Sequence, residues 1–209
     1  TIIDVAASQG NFTLKMAEAG YNMIWNDLRV DLVDYVKLKY EKGNVDFMPG
    51  NVFDLALPGK VDGVIITEII EHVAHPDEFL KKIASLVREG GFIFMSTPLG
   101  NYFLNRLPRF SDCADPSQFE SMQFKPNSDG HIFLLHLDEI HPLSAGANLE
   151  IEEMFIYNNF ITSGHIKTHL LLKLIPEKLV RLIEACSQKL PDLIKKRVHT
   201  GMAVILRKV

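Results

Sequence analysis

Short β-branched runs alternate with amphipathic stretches through the first hundred residues, and no other feature constrains the fold as much. Residues 1–5 form an apolar run that ends in a turn of small residues. Phe12, Met16 and Ala19 then recur at helical spacing up to Gly20. A second run covers 23–25, and a helical stripe of Leu32, Val33, Val36 and Tyr40 closes at Gly43. A third run covers 45–48. Residues 61–67 are almost continuously apolar, as expected of a strand buried on both faces. Pro76 opens a helix whose inner face is Phe79, Leu80, Ile83 and Leu86; Gly90-Gly91 is expected to end it before a fifth strand at 92–96. Strands separated by helices of this length imply right-handed crossovers and a parallel sheet.

Beyond residue 100 the rhythm changes. Residues 101–147 show no clear strand and carry five phenylalanines, Phe103, Phe110, Phe119, Phe124 and Phe133. A connection of that length is usually functional, and this one reads as a helical cap inserted over a pocket. Strands are expected at 149–157 and 201–206. Between them, at 160–200, lies a helical insert in which Leu179, Leu182, Ile183, Cys186 and Leu190 recur on one side. The whole reads as a single domain of 209 residues.

Composition excludes several classes. Two unrelated cysteines, Cys113 and Cys186, argue against a disulfide framework or a cysteine zinc site and suit a reducing compartment. The longest apolar runs, 132–135 and 170–172, are far short of the roughly 20 residues of a membrane span. A net charge of −4 gives no strong nucleic-acid signal. The total hides a polarity, because residues 167–209 hold ten basic and three acidic side chains. That segment is either a solvated helical face or a surface for an anionic substrate or membrane headgroups.

The first strand–turn–helix unit, with Asp4, Ala6, Ser8 and Gly10 in its turn, brings backbone close to a ligand and aims helix N–H groups at it. Twenty-three positions after Asp4, Asp27 ends the second strand, where a carboxylate can accept from both hydroxyls of a ribose. A nicotinamide enzyme would want G-x-G-x-x-G here, and that pattern is absent.

At this point the sequence resembles the class I S-adenosylmethionine-dependent methyltransferases, and within them the coenzyme Q O-methyltransferase group. Asp4 through Gly10 match the glycine-rich loop and Asp27 the ribose-binding acid. Glu68-Ile69-Ile70-Glu71-His72-Val73-Ala74-His75-Pro76 matches E-x-x-E-H-V-x-x-P, and Gly90-Gly91 and Ser96-Thr97-Pro98 flank strand 5 as in the family. The likeness covers roughly residues 1–140. It implies an α/β Rossmann-like fold with a seven-stranded sheet in the order 3-2-1-4-5-7-6, strand 7 antiparallel, and helices on both faces. It implies S-adenosyl-L-methionine as cofactor, held by Asp4, Ala6, Ser8, Gly10, Asp27, Leu28, Asn51, Val52 and Glu68. It also implies a cytoplasmic enzyme. Two positions depart from the pattern. Ala6 and Ser8 stand where the family has glycine, and Asn51 stands where it commonly has an aspartate that accepts from the adenine amino group. Thr1 already lies in strand 1, so the helices that precede it in the family are expected to be missing and the pocket to be open beside Gly10 and Tyr102.

His72 is the candidate base for a hydroxyl acceptor, with Glu71 beside it. Glu68, Glu71 and His72 fall at i, i+3 and i+4, so one helical turn would point all three to one side. With His131 they form a candidate site for a divalent cation such as Mg²⁺, which the related families also use. The expected acceptor is a small apolar or aromatic hydroxyl compound. RNA or protein methylation, or a binding domain without turnover, are the alternatives.

Overall fold

In the computed structural model, residues 1–123, 130–163 and 172–209 are described; Phe124, His165, His169 and Leu170 fall outside them. Seven strands form one sheet in the order β3-β2-β1-β4-β5-β7-β6. They are β1 (Ile2–Val5), β2 (Asn22–Asn26), β3 (Asn44–Phe47), β4 (Val61–Thr67), β5 (Val87–Pro98), β6 (Leu149–Asn159) and β7 (His199–Lys208). The first five pair in parallel, and β7 runs antiparallel to both β5 and β6. This is the expected order and the expected single reversal.

The helices are α1 (Asn11–Glu18), α2 (Leu32–Lys39), α3 (Pro76–Leu86), α4 (Leu137–Gly146), α5 (Glu177–Gln188) and α6 (Asp192–Val198). The central strands read as continuous apolar runs because both faces are covered: Ile3, Val64, Ile93, Val204 and Leu206 are fully buried. Each such side chain contributes roughly 1.5–3 kcal/mol on burial.

Three expectations are revised. First, α3 stops at Leu86, four residues before the glycine pair, because Val87 already pairs with Val61 as part of β5. Gly90 and Gly91 instead sit in an irregular stretch of β5. Gly90 takes a φ of +69°, and a Cβ on Gly91 would lie 2.7 Å from the carbonyl oxygen of Asp62. Second, the 101–147 stretch is helical only in part. It holds two 3-10 turns (Phe110–Asp112 and Pro116–Met122), while α4 packs on α3 and β6 and covers the sheet. Among its described phenylalanines, Phe110 and Phe119 meet the buried Phe133 edge-on, with centroids 5.4 and 5.3 Å away, while Phe103 is exposed. Third, α5 turns Leu179 and Leu182 outward, and Val180, Ile183 and Ser187 carry its inner face. Burial there is polar, with Ser187 and Gln188 bonded to the buried His199 of β7.

Candidate functional site

β1 lies between β2 and β4 and pairs with both, so the turns after β1, β2, β3 and β4 open on one end of the sheet. That point is where doubly wound sheets bind ligands.

The turn after β1 keeps the conformation its missing glycines would provide. Ala6 has φ +51°, Ser8 φ +47° and Gly10 φ +71°, all left-handed. For alanine and serine this conformation costs roughly 1–2 kcal/mol each. Neighbouring groups hold the turn there: Ala7 N–H donates to Asn26 O, Gly10 N–H to Ala7 O, and Trp25 Nε1 to Ser8 O. Packing also requires glycine at position 10, since a Cβ there would lie 2.6 Å from Val36 Cγ1. Gly10 and Tyr102 are themselves buried, while their neighbours Asn11, Phe12 and Phe103 are exposed.

Asp4 is 1% exposed beneath this turn. Thr13 donates to its Oδ2 from both backbone N–H (3.0 Å) and hydroxyl (2.6 Å), while Oδ1 has no partner. Burial pushes its pKa up to about 6 against the Thr13 bonds, which lower it. A buried oxygen facing a turn without a donor fits a cationic ligand group such as an α-ammonium. Asp27 accepts from Ser8 N–H and Arg29 N–H, both at 2.8 Å, one on each oxygen. Each oxygen keeps a further lone pair for a ribose hydroxyl.

The third turn is pinned to the end of β2. Asn26 Nδ2 donates to Met48 O and Gly50 O, and Gly50 N–H donates to Asp27 O. Ala6, Leu28, Asn51 and Val52 thereby line one cavity of about 530 Å³, with Phe53 and Phe79 extending its apolar wall. Asn51 departs from the expectation of a free acceptor. Its Oδ1 caps the short 3-10 turn Val52–Asp54 through Phe53 N–H (3.2 Å), and its Nδ2 donates to Asp54. The cap orients Val52 and leaves the Asn51 carbonyl one lone pair for an adenine amino group.

After β4 the chain turns through Ile70–His72 as a 3-10 turn. Ligand atoms of Glu71, His72 and His131 lie within 4.8 Å of one another. The His72 and His131 rings meet edge-on at 4.7 Å. Glu71 is fully buried. Its Oε2 accepts from Thr97 Oγ1 at 3.0 Å, and its Oε1 has no hydrogen-bond partner and lies 3.9 Å from His131 Nε2. Burial drives its pKa up to about 8, with the nearby Glu68 adding to the rise. Glu68 itself is outside the cluster. It precedes the 3-10 turn, takes φ +54°, and accepts from Ser96 Oγ at 3.0 Å and Tyr157 OH at 3.4 Å. Three of the four candidate ligands therefore meet, and the fourth is turned over β5.

Sequence reasoning missed Thr13, Thr97 and Tyr157. Thr13 carried a signal, as a hydroxyl two positions into the helix after an orphaned strand-end acid. Tyr157 carried none, because it arrives from the far edge of the sheet. His75, the residue before Pro76, lines the cavity and bonds Glu120 through Nε2 at 3.0 Å.

Glu71 binds its proton more tightly folded than unfolded. Its contribution to stability is complete below its ordinary 4.5 and is lost as pH rises toward 8. In chelator-treated protein, Glu71→Gln should flatten the fall in stability between pH 5 and 8. It should gain on the order of a few kcal/mol over the native residue at alkaline pH. Urea denaturation across that range measures it, and parallel curves for the two proteins would refute the assignment.

Comparison with known proteins agrees with this geometry. A family model described as a methyltransferase domain matches residues 1–154. The chain is similar to the ubiquinone biosynthesis O-methyltransferase of Xanthomonas euvesicatoria pv. vesicatoria (strain 85-10), 36% identical over 111 residues, covering 51% of this chain and 44% of that protein. It is 29% identical over 158 residues to the enzyme of the same name from Dechloromonas aromatica (strain RCB), covering 73% of this chain and 66% of that one. The chain thus spans about half the length of several curated relatives it matches. Among solved structures, an S-adenosylmethionine-dependent methyltransferase from Mesorhizobium loti superposes with a TM-score of 0.65 at 12% identity, covering 99% of this chain and 90% of that one. With the family matched across most of its length and the strand order in place, the chain belongs to the methyltransferase domain family and has its class I, Rossmann-like fold.

Proposed function

We propose that this domain transfers a methyl group from S-adenosyl-L-methionine to a hydroxyl of a small apolar or aromatic acceptor. One observation carries the reading. The cavity of about 530 Å³ lined by Leu28, Asn51 and Val52 and the Glu71–His72–His131 cluster occupy turns that open on the same end of the sheet. The ubiquinone biosynthesis O-methyltransferase names of the relatives support a hydroxyl acceptor of this kind.

The cofactor supplies an electrophilic methyl on a sulfonium. Asp4 would hold the amino-acid end through its unpartnered Oδ1, Asp27 the ribose, and Leu28 and Val52 the base. Fixing the two reactants in line can supply on the order of 7–11 kcal/mol of the barrier. His72 would take the acceptor hydroxyl's proton on a ring nitrogen as that oxygen accepts the methyl and the sulfonium becomes a neutral thioether. Fully buried Glu71, with one oxygen on Thr97, keeps the His72 turn in place. The left-handed Ala6 and Ser8 support a loop that still binds, against the reading of a domain without turnover.

The donor set supports a second reading of the same cluster, in which His72 is a ligand and not the base. An unpartnered buried carboxylate oxygen beside two imidazoles is a fit for a divalent cation. Glu71, His72 and His131 would hold it, and its chemistry would be to orient an acceptor oxygen and lower its pKa. Two imidazoles and one carboxylate suit Mn²⁺ or Zn²⁺ better than the Mg²⁺ expected from the resemblance, which prefers oxygen ligands.

The basic C-terminal helices supply a candidate membrane contact. Among the described residues, no helix is long and apolar enough to cross a membrane. Leu174, Leu179, Leu182, Leu193 and Ile194 are nevertheless exposed, in the same segment as Lys178, Arg181, Lys189, Lys196 and Arg197. That combination suits the interface of an anionic bilayer.

Two tests follow. By calorimetry, Asp27→Ala should weaken S-adenosylmethionine binding at least tenfold. Replacing Ala6 and Ser8 together by glycine should leave affinity within about twofold, because the turn already holds its left-handed conformation. No binding by the unsubstituted protein at millimolar cofactor would end the enzyme reading. On vesicles, the protein should sediment with phosphatidylglycerol but not with phosphatidylcholine at low salt. A Leu179→Ser/Leu182→Ser variant should lose the association, and equal binding by the variant would rule out this face.

A further inference from the structure

Glu68 and Tyr157 come from strands that are not neighbours in the sheet. Tyr157 lies on β6, and β7 separates β6 from β5. Its ring crosses β7 at the one position that permits it. Gly201 pairs with Tyr157 on one side and with Pro98 on the other, and a Cβ on Gly201 would lie 2.7 Å from the tyrosine ring. Over that gap the phenol reaches the mouth of β4 and meets Glu68 Oε1 at 3.4 Å, the same oxygen that takes the Ser96 hydroxyl at 3.0 Å. The backbone supports this placement. Glu68 N–H donates to Ser96 O at 2.9 Å, and the left-handed φ of +54° is unusual for a residue of this kind. Glu68 is thus held on β5 by two hydroxyls and one backbone bond, while Glu71, three residues on, keeps a buried oxygen without a hydrogen-bond partner in the three-residue cluster.

We propose that Tyr157, with Ser96, is a latch that holds Glu68 back from the Glu71–His72–His131 cluster, so that a divalent cation held by those three residues gains Glu68 as a fourth ligand only when Glu68 leaves this pair. Tyr157 is then a positioning residue that sets cation affinity without touching the ion. The inference rests on the cation reading of the cluster and adds an element that lies outside the matched family segment, residues 1–154. A carboxylate that accepts two hydroxyl bonds gives them up, at least in part, when it turns to a metal. Removing the tyrosine hydroxyl lowers that cost. The phenylalanine ring still fills the space over Gly201, so the fold is kept.

The test is Mn²⁺ binding to the whole chain, followed by electron paramagnetic resonance of the free ion and by calorimetry. Tyr157→Phe should bind Mn²⁺ about three- to tenfold more tightly than the unsubstituted protein, the size expected for one hydrogen bond of ordinary strength. Ser96→Ala should act in the same direction. In a Glu68→Gln background the gain from Tyr157→Phe should vanish, which separates a latch from a general loosening, since damage to the fold does not raise affinity. Unchanged or weaker binding by Tyr157→Phe, with Glu71→Gln abolishing binding, would overturn the latch and leave the cation site standing. No saturable Mn²⁺ binding in any of these proteins would overturn both.

Discussion

The placement of β1 between β2 and β4 is the constraint from which the rest of the site follows. A parallel sheet has to return each chain end across its face, so the turns after the first four strands gather at one end. Asp4, Asp27 and the Glu71 turn each close one of those strands, and three acids consequently crowd into a partly buried space. Asp4 and Glu71 are kept there at a cost, with their protons bound more tightly than in water. An oxygen without a donor on each of them is the form that cost takes. Cationic or proton-bearing ligands are what such a site is able to stabilise.

Much of this was legible in the sequence, for a physical reason. β-branched runs such as residues 61–67 can only be strands buried on both sides, and that run is β4 without a change of boundary. Asp27 was legible because an acid directly after an apolar strand has nowhere else to face. Gly90-Gly91 misled, since a glycine pair stops a helix in solution but here serves a close approach of β5 to Asp62. Ala6 and Ser8 depart from the family's glycines, yet tertiary bonds from Asn26 and Trp25 keep the left-handed backbone. Tyr157 could not be read at all, because its relation to Glu68 depends on a register across β7 and on the absence of a side chain at Gly201.

The two ends of the molecule differ in how they are held. The cofactor half is fixed by bonds between successive turns, some backbone to backbone and others through the side chains of Asp4, Trp25, Asn26 and Asp27. The outer edge is fixed by side chains, with His199, Ser187, Gln188 and Asn159 bonding the terminal helices to β6 and β7. Polar anchoring of that kind leaves the apolar side chains of α5 free to face outward. It explains why the helix is amphipathic in the sense opposite to a core helix, with its leucines at the surface.

The central claim is that the turns after β1, β2 and β3 hold the nucleoside of the methyl donor. A crystal structure with S-adenosylhomocysteine bound tests it most directly. The account predicts the ribose hydroxyls on the Asp27 carboxylate, the adenine between Leu28 and Val52, and the amino group directed at Asp4 Oδ1. A nucleoside seated elsewhere, or none bound at millimolar ligand, would contradict it.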